Sequence, residues 1–139
     1  MLASFNMDLV MRTARRPEPG ETLQGEFAMY LGGKGFNQAV AARRLGAEVR
    51  VIGRLGDDEF GRQFLSALDR EGIERAHVSL DPDLGTGVAA IVVDQRGENA
   101  IIQAPRANRR VSIEDIRRAR PAFDGAAAAL LQLETSDEG

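Results

Sequence analysis

The stretch Gly32-Gly33-Lys34-Gly35-Phe36-Asn37-Gln38 sets the only lysine of a 139-residue chain among three glycines. Glycine permits a left-handed backbone and lets another molecule approach closely. A lysine adds a compact, mobile ammonium suited to phosphate. The competing reading is a tight strand-to-helix turn with an ordinary surface lysine. Two phosphate-binding templates fail here. Walker A needs Ser or Thr directly after the lysine, where Gly35 stands. The dinucleotide fingerprint needs a glycine three residues after its second, where Gln38 stands.

Working outward, residues 27–31 read as a strand entering the glycine turn and residues 37–45 as the helix leaving it, with Gly46 at its C′ position. Residues 1–5 are an apolar run, brief for a strand. Residues 8–13 look extended until Pro17, Pro19 and Gly20 break the chain. Residues 49–52 form a β-branched strand, and residues 53–56 read as a turn. Asp57 or Asp58 caps the next helix, whose stripe of Phe60, Phe64, Leu65 and Leu68 ends at Gly72. The order strand-helix-strand-helix predicts a parallel α/β sheet.

The order then changes. Residues 86–94 and 99–103 read as a hairpin whose turn uses Gly97 for a left-handed position. Ser112 and Asp115 resemble a capping box that opens a helix through Arg120, which Pro121 stops. Residues 126–133 are an unbroken apolar run, read as a buried parallel strand with no crossover after it. No internal repeat or low-complexity segment is present.

A chain of this length fits one domain with a real core. Its 43% hydrophobic and 28% charged residues are ordinary for a soluble globular protein. A net charge of −3 supplies no basic field for nucleic acid or acidic membranes. Without cysteine, disulfides and thiolate metal sites are excluded. No signal peptide or membrane-spanning run is legible, so the expected location is cytoplasmic. The arginines between Arg106 and Arg120 are interleaved with Glu114 and Asp115 and read as a solvated helix face. The lone His77 has no second histidine or cysteine nearby, so no metal site is expected. Met7, Met11 and Met29 read as gap fillers.

Asn6 and Asp8 follow the first apolar run, at the carboxyl edge where α/β sheets bind ligands. An Asp with an Asn can chelate vicinal sugar hydroxyls; a turn Asp with an Asx cap is the alternative. Glu134 ends the last apolar run on the same expected edge, either in that site or as a solvated terminus.

As a set, these residues resemble the N-terminal part of a ribokinase-like (PfkB) carbohydrate kinase, closest to the ribokinase subgroup. The resemblance is carried by Ser4-Phe5-Asn6-Met7-Asp8, Pro19-Gly20-Glu21-Thr22, Gly32 through Ala39, and Leu45-Gly46-Ala47. Gly53 through Asp58 with Gly61, Thr86-Gly87-Val88-Ala89, Gly97-Glu98-Asn99 and Leu131-Gln132-Leu133-Glu134 continue it, in order and at family spacing.

The resemblance implies an α/β, Rossmann-like parallel sheet with flanking helices plus a small β-sheet lid, the C-terminal half of the fold being absent. The lid would comprise strands near 8–14, 24–31, 86–94 and 99–103. Asn6 and Asp8 would hold sugar hydroxyls, Gly32, Gly33 and Gly35 would let the backbone approach the sugar, and Asn37 would bond another hydroxyl. Glu134 would contact the sugar from the far side, and Lys34 would offset charge on the transferring phosphoryl group.

ATP and Mg²⁺ are implied for the full-length enzyme, but this chain lacks the Gly-Ala-Gly-Asp motif around which the base and nucleotide pocket lie. The chain alone is therefore expected to be inactive. A homodimer through the lid sheet is also implied, and a noncatalytic sugar-binding or dimerisation module is the alternative reading. Two departures stand out: Phe36 where a small residue is usual, and Arg106 within a turn that normally reads Ala-Pro-Gly-Ala-Asn.

Overall fold

The computed structural model describes residues 1–135. Its elements are β1 (Asn6–Arg12), β2 (Glu26–Gly32), α1 (Lys34–Arg44), β3 (Arg50–Gly56), α2 (Glu59–Glu71), β4 (Glu74–Asp81), β5 (Gly87–Val93), β6 (Asn99–Ala104) and α3 (Ile113–Arg118). Short 3-10 turns at Arg106–Arg110 and Arg120–Phe123 flank α3. The strands form two sheets, a four-stranded one in the order β2-β1-β5-β6 and a parallel pair β3-β4. The α/β class expected from the sequence is what forms.

The N-terminal run joins the two sheets. Leu2 bridges Ile52 in parallel, and Ala3 N–H donates to the Ile52 carbonyl at 2.7 Å. Residues 1–5 thus extend the β3-β4 sheet, and the chain passes straight on into β1, the centre of the other sheet. β1 runs antiparallel to β2 and parallel to β5. Phe5, Phe36 and Phe64 pack as an aromatic triangle beneath this crossing, with ring centroids 5.0 to 6.2 Å apart. Phe36 is only 6% exposed, so the bulk that departs from the family pattern is taken up by the core.

Helix α2 forms as its pattern requires. Asp58 accepts from Gly61 N–H at 2.8 Å, Phe64, Ala67 and Leu68 are buried, and Gly72 closes the helix at φ +67°. The same Asp58 reaches Thr86, accepting from its N–H at 2.8 Å and its hydroxyl at 2.7 Å. That pins the root of β5. Asn108 pins the root of β1, accepting from Phe5 N–H at 2.9 Å and donating to Phe5 O at 2.8 Å. Arg106, two residues earlier, holds φ +48°, the left-handed geometry that glycine would adopt freely, and donates to Thr86 O at 3.2 Å. The turn thus holds a left-handed residue although its side chain is an arginine.

Two expectations need correction. Residues 53–56 are not a turn: β3 runs through them, pairing residues 52–56 with 77–81. Gly53 serves packing instead, since a Cβ there would lie 2.7 Å from Ala3 O and 2.8 Å from the Phe5 ring. Residues 126–133 are not a buried strand. Leu130, Leu131 and Leu133 are exposed, and the run's backbone tie to the sheet is a single bond from Leu2 N–H to Leu130 O at 3.0 Å. Apolar composition without a paired ladder does not make a strand.

The capping box forms as read, with Ser112 and Asp115 bonding reciprocally. α3 stops at Arg118, and Pro121 falls in the following 3-10 turn. Asp115 also anchors α3 to the sheet. Arg54, on β3, donates to both Asp115 oxygens at 2.9 Å and to Asp81 at 3.2 Å, and both carboxylates are buried. Burial alone would raise the Asp115 carboxyl, but bonds from Ser112 N–H, Arg54, the Ser112 hydroxyl and Arg118 outweigh it and hold it at about 2.

Replacing Arg54 by Met should cost about 3–5 kcal/mol in urea denaturation, because two buried carboxylates lose their shared cation. Because the Asp115 value is lowered on folding, its stabilisation is complete above the unfolded carboxylate value of about 3.9 and drains away as pH falls towards 2. Asp115→Asn should lose that part of the acid dependence, as read from denaturation midpoints across this range.

Candidate functional site

Helix α1 begins without a cap of its own: Gly33 precedes it, and its first turn holds no acidic residue. Its open amides are filled from elsewhere in the chain. Lys34 N–H donates to Glu134 Oε2 at 3.1 Å, Gly35 N–H to the Ser4 hydroxyl at 3.2 Å, and Phe36 N–H to Ser4 O at 3.2 Å. A carboxylate at this end also suits the helix dipole. Two glycines make the junction possible. Gly33 sits at φ +98° against the Ser4 carbonyl, and a Cβ on Gly35 would lie 2.5 Å from Ala3 Cα.

Glu134 therefore stands in a turn at the N-terminus of α1, with its side chain only 14% exposed. Its Oε2 also accepts from the Ser4 hydroxyl at 2.7 Å, and its Oε1 pairs with Lys34 Nζ at 2.7 Å. Burial would raise this carboxyl, but the bonds from Lys34 and Ser4 prevail and lower it. Lys34 Nζ reaches out from a side chain that is 70% exposed. The lysine and the glutamate, 100 residues apart, thus meet at the glycine turn.

Asp8 lies in the middle of β1, opposite Tyr30 on β2 and Ala89 on β5. Gly32 leaves the space that the Asp8 carboxylate occupies, since a Cβ there would collide with it. Burial and the charge of Glu134 both raise the Asp8 carboxyl. The two carboxylates are thus driven in opposite directions: Glu134 is satisfied by donors, while Asp8 has no hydrogen-bond donor among the described residues. Asn6, two residues earlier on the same face of the strand, is buried and accepts from Asn108 Nδ2 at 3.2 Å.

Of the residues singled out from the sequence, the structure brings Asn6, Asp8, Gly32, Gly33, Lys34, Gly35 and Glu134 to this junction. Asn37 stands apart. It lies one turn into α1, its N–H donates to Gly33 O at 2.9 Å, and it borders a cavity of about 580 Å³ between α1 and α2. No group of three or more metal-ligating side chains occurs among the described residues, and none of their helices is long and apolar enough to cross a membrane.

Sequence reasoning assigned no role to Ser4, Asn108 or Thr86, and to Asp58 only that of a helix cap. Ser4 lies inside a motif that had been recognised, so its placement beside Asn6 was the available signal. Asn108 has its partners more than 100 residues away, and nothing local marks it.

Because Lys34 Nζ is solvated, Lys34→Met should cost less than about 1 kcal/mol of stability. Ser4 is fully buried between two partners, so Ser4→Ala should cost about 1–3 kcal/mol by leaving Gly35 N–H without its acceptor. Urea denaturation of both variants checks the contrast. Carboxyl NMR titration should also show the Glu134 value rising in Lys34→Met.

Three comparisons bear on this arrangement. The family model described as "pfkB family carbohydrate kinase" matches residues 1–135. Ribokinase of Mus musculus is 36% identical over 137 residues, covering 98% of this chain and 42% of the mouse protein. Ribokinase of Haemophilus influenzae is 39% identical over 140 residues, covering 100% of this chain and 46% of that protein. The solved structure of ribokinase from Giardia lamblia superposes with a TM-score of 0.89 at 30% identity, over 97% of this chain and 42% of that one. The chain spans less than half the length of the relatives it matches.

Proposed function

Because the chain belongs to the pfkB family of carbohydrate kinases, we propose that it supplies the sugar-binding side of a ribokinase-like enzyme. The reaction is transfer of the γ-phosphoryl group of ATP, with Mg²⁺, to a primary hydroxyl of a pentose or related sugar. The observation that carries this reading is the meeting of Asp8, Lys34 and Glu134 around a glycine turn that leaves the backbone bare.

In this reading Asp8 accepts hydrogen bonds from sugar hydroxyls, and its charge strengthens them. Its partly buried carboxylate has lost water, so a hydroxyl replaces solvation at little cost. Asn6 adds a polar contact, while Gly32, Gly33 and Gly35 leave room for the ring. Glu134 contacts the sugar from the other side while holding the turn. Lys34 Nζ, solvated and mobile, offsets negative charge on the transferring group. ATP with Mg²⁺ supplies that phosphoryl group, and no residue of this chain is assigned to hold either. The family resemblance places the base and nucleotide pocket at a Gly-Ala-Gly-Asp motif, and residues 1–139 contain no such sequence.

The 139-residue chain should therefore bind sugar without turning it over. Ribose, deoxyribose and fructose titrations followed by thermal shift should show a rise in Tm with at least one of them. Asp8→Asn should abolish that rise. Binding should weaken as pH falls through the raised Asp8 value, because only the ionised carboxylate accepts from two hydroxyls. Coupled ADP-release assays with ribose and ATP should stay at the blank; turnover well above it would overturn the assignment.

A second reading rests on the four-stranded sheet, which acts in our proposal as a lid over the sugar. Met11, Phe27 and Met29 lie together on one face of β1 and β2, and all are about half exposed. Burying them against a second copy of the sheet would make a homodimer, as the family resemblance implies. Sedimentation at tens of micromolar, an order of magnitude suited to ordinary interface affinities, should show a dimer; a clean monomer would count against this interface.

A further inference from the structure

Asn108 makes three hydrogen bonds whose polarity leaves no freedom. Phe5 N–H can only donate and Phe5 O can only accept. The Asn108 oxygen must therefore be the atom 2.9 Å from Phe5 N, and its amide nitrogen the atom 2.8 Å from Phe5 O. That nitrogen carries two hydrogens. The second goes to the Asn6 side chain at 3.2 Å, which forces Asn6 to present its oxygen there. Turning the Asn6 amide over would set two N–H groups against each other.

The consequence falls on the other side of Asn6. With Oδ1 turned to Asn108, Nδ2 and both its hydrogens face away, and no group among the described residues takes them. Packing blocks an escape, because Gly87 lies so close that a Cβ there would collide with Asn6 Oδ1 and Asn108 Nδ2. Two residues along the same strand face, Asp8 offers only lone pairs. The pair is therefore polar in one sense: Asn6 gives hydrogens and Asp8 takes them.

We propose that Asn108 is a positioning residue that fixes Asn6 as a hydrogen-bond donor to the ligand whose hydroxyls Asp8 accepts. The inference rests on the sugar-binding reading for the identity of that ligand, and on the hydrogen-bond network alone for the orientation. A vicinal diol meets both demands, since each hydroxyl can give a hydrogen to Asp8 and receive one from Asn6.

Side-chain amide NMR of the full chain tests orientation and binding separately. In the free chain both Asn108 hydrogens should exchange slowly with water, while the Asn6 pair exchanges fast. Ribose should shift and protect the Asn6 pair and leave the Asn108 pair in place. Asn108→Asp cannot donate, so the Asn6 amide should turn round to give its hydrogens to the new carboxylate. That variant should show a protected Asn6 pair without sugar and about tenfold weaker ribose binding.

Ribose shifts at the Gly33 and Asp8 amides with an unmoved Asn6 pair would overturn the proposal and leave the sugar reading standing. A protected Asn6 pair in the free wild-type chain would overturn it as well, and this measurement does not depend on the variant folding. An absence of shifts with ribose, deoxyribose and fructose alike would overturn the sugar reading and the ligand assigned to Asn6 with it.

Discussion

A helix that cannot cap itself organises this molecule. Helix α1 starts on a glycine and offers its first amides to whatever the fold can bring, and the fold brings Ser4 and Glu134. Those bonds tie together the first residues of the chain, the glycine turn, and a segment 100 residues further on. A serine or aspartate at position 33 would have supplied a local cap. It would also have put a side chain where Ser4 O now lies. By leaving the position bare, the sequence gives the helix end to a remote carboxylate and draws Lys34 with it.

The same economy sets the charges apart. Glu134 is surrounded by donors and settles below its ordinary value, whereas Asp8, with less water and a like charge nearby, rises above it. One carboxylate is spent on structure, and the other has no hydrogen-bond donor among the described residues. In the reading proposed above, the unspent group is the contact for sugar hydroxyls.

Local signals in the sequence were read well where the physics is local. Helix α2, its Asp58 cap and its Gly72 stop, the hairpin at Gly97, and the Ser112–Asp115 box all depend on residues a few positions apart. The failures share a different cause. Gly53 looked like a turn because glycine breaks strands, yet it answers to the Phe5 ring crossing over it. Residues 126–133 looked like a strand because they are apolar, yet a strand is defined by its partners. The candidate site was legible through its motifs, but the links that assemble it were not. Ser4 to Glu134 and Asn108 to Phe5 each span more than 100 positions, and no periodicity reports them.

The parallel pair β1 and β5 starts on one level, Asn6 beside Gly87, and both roots are pinned, one by Asn108 and one by the Asp58–Thr86 bonds. The far ends run out past Arg12 and Val93. A sheet held this way is a beam braced at its root. Asn6 lies at the fixed end, while Asp8 sits two residues along the beam, about 6–7 Å at the usual strand rise. Any tilt of the beam about that root would keep the Asn6–Asp8 spacing, which the strand itself fixes, and would change only the direction in which Asp8 faces.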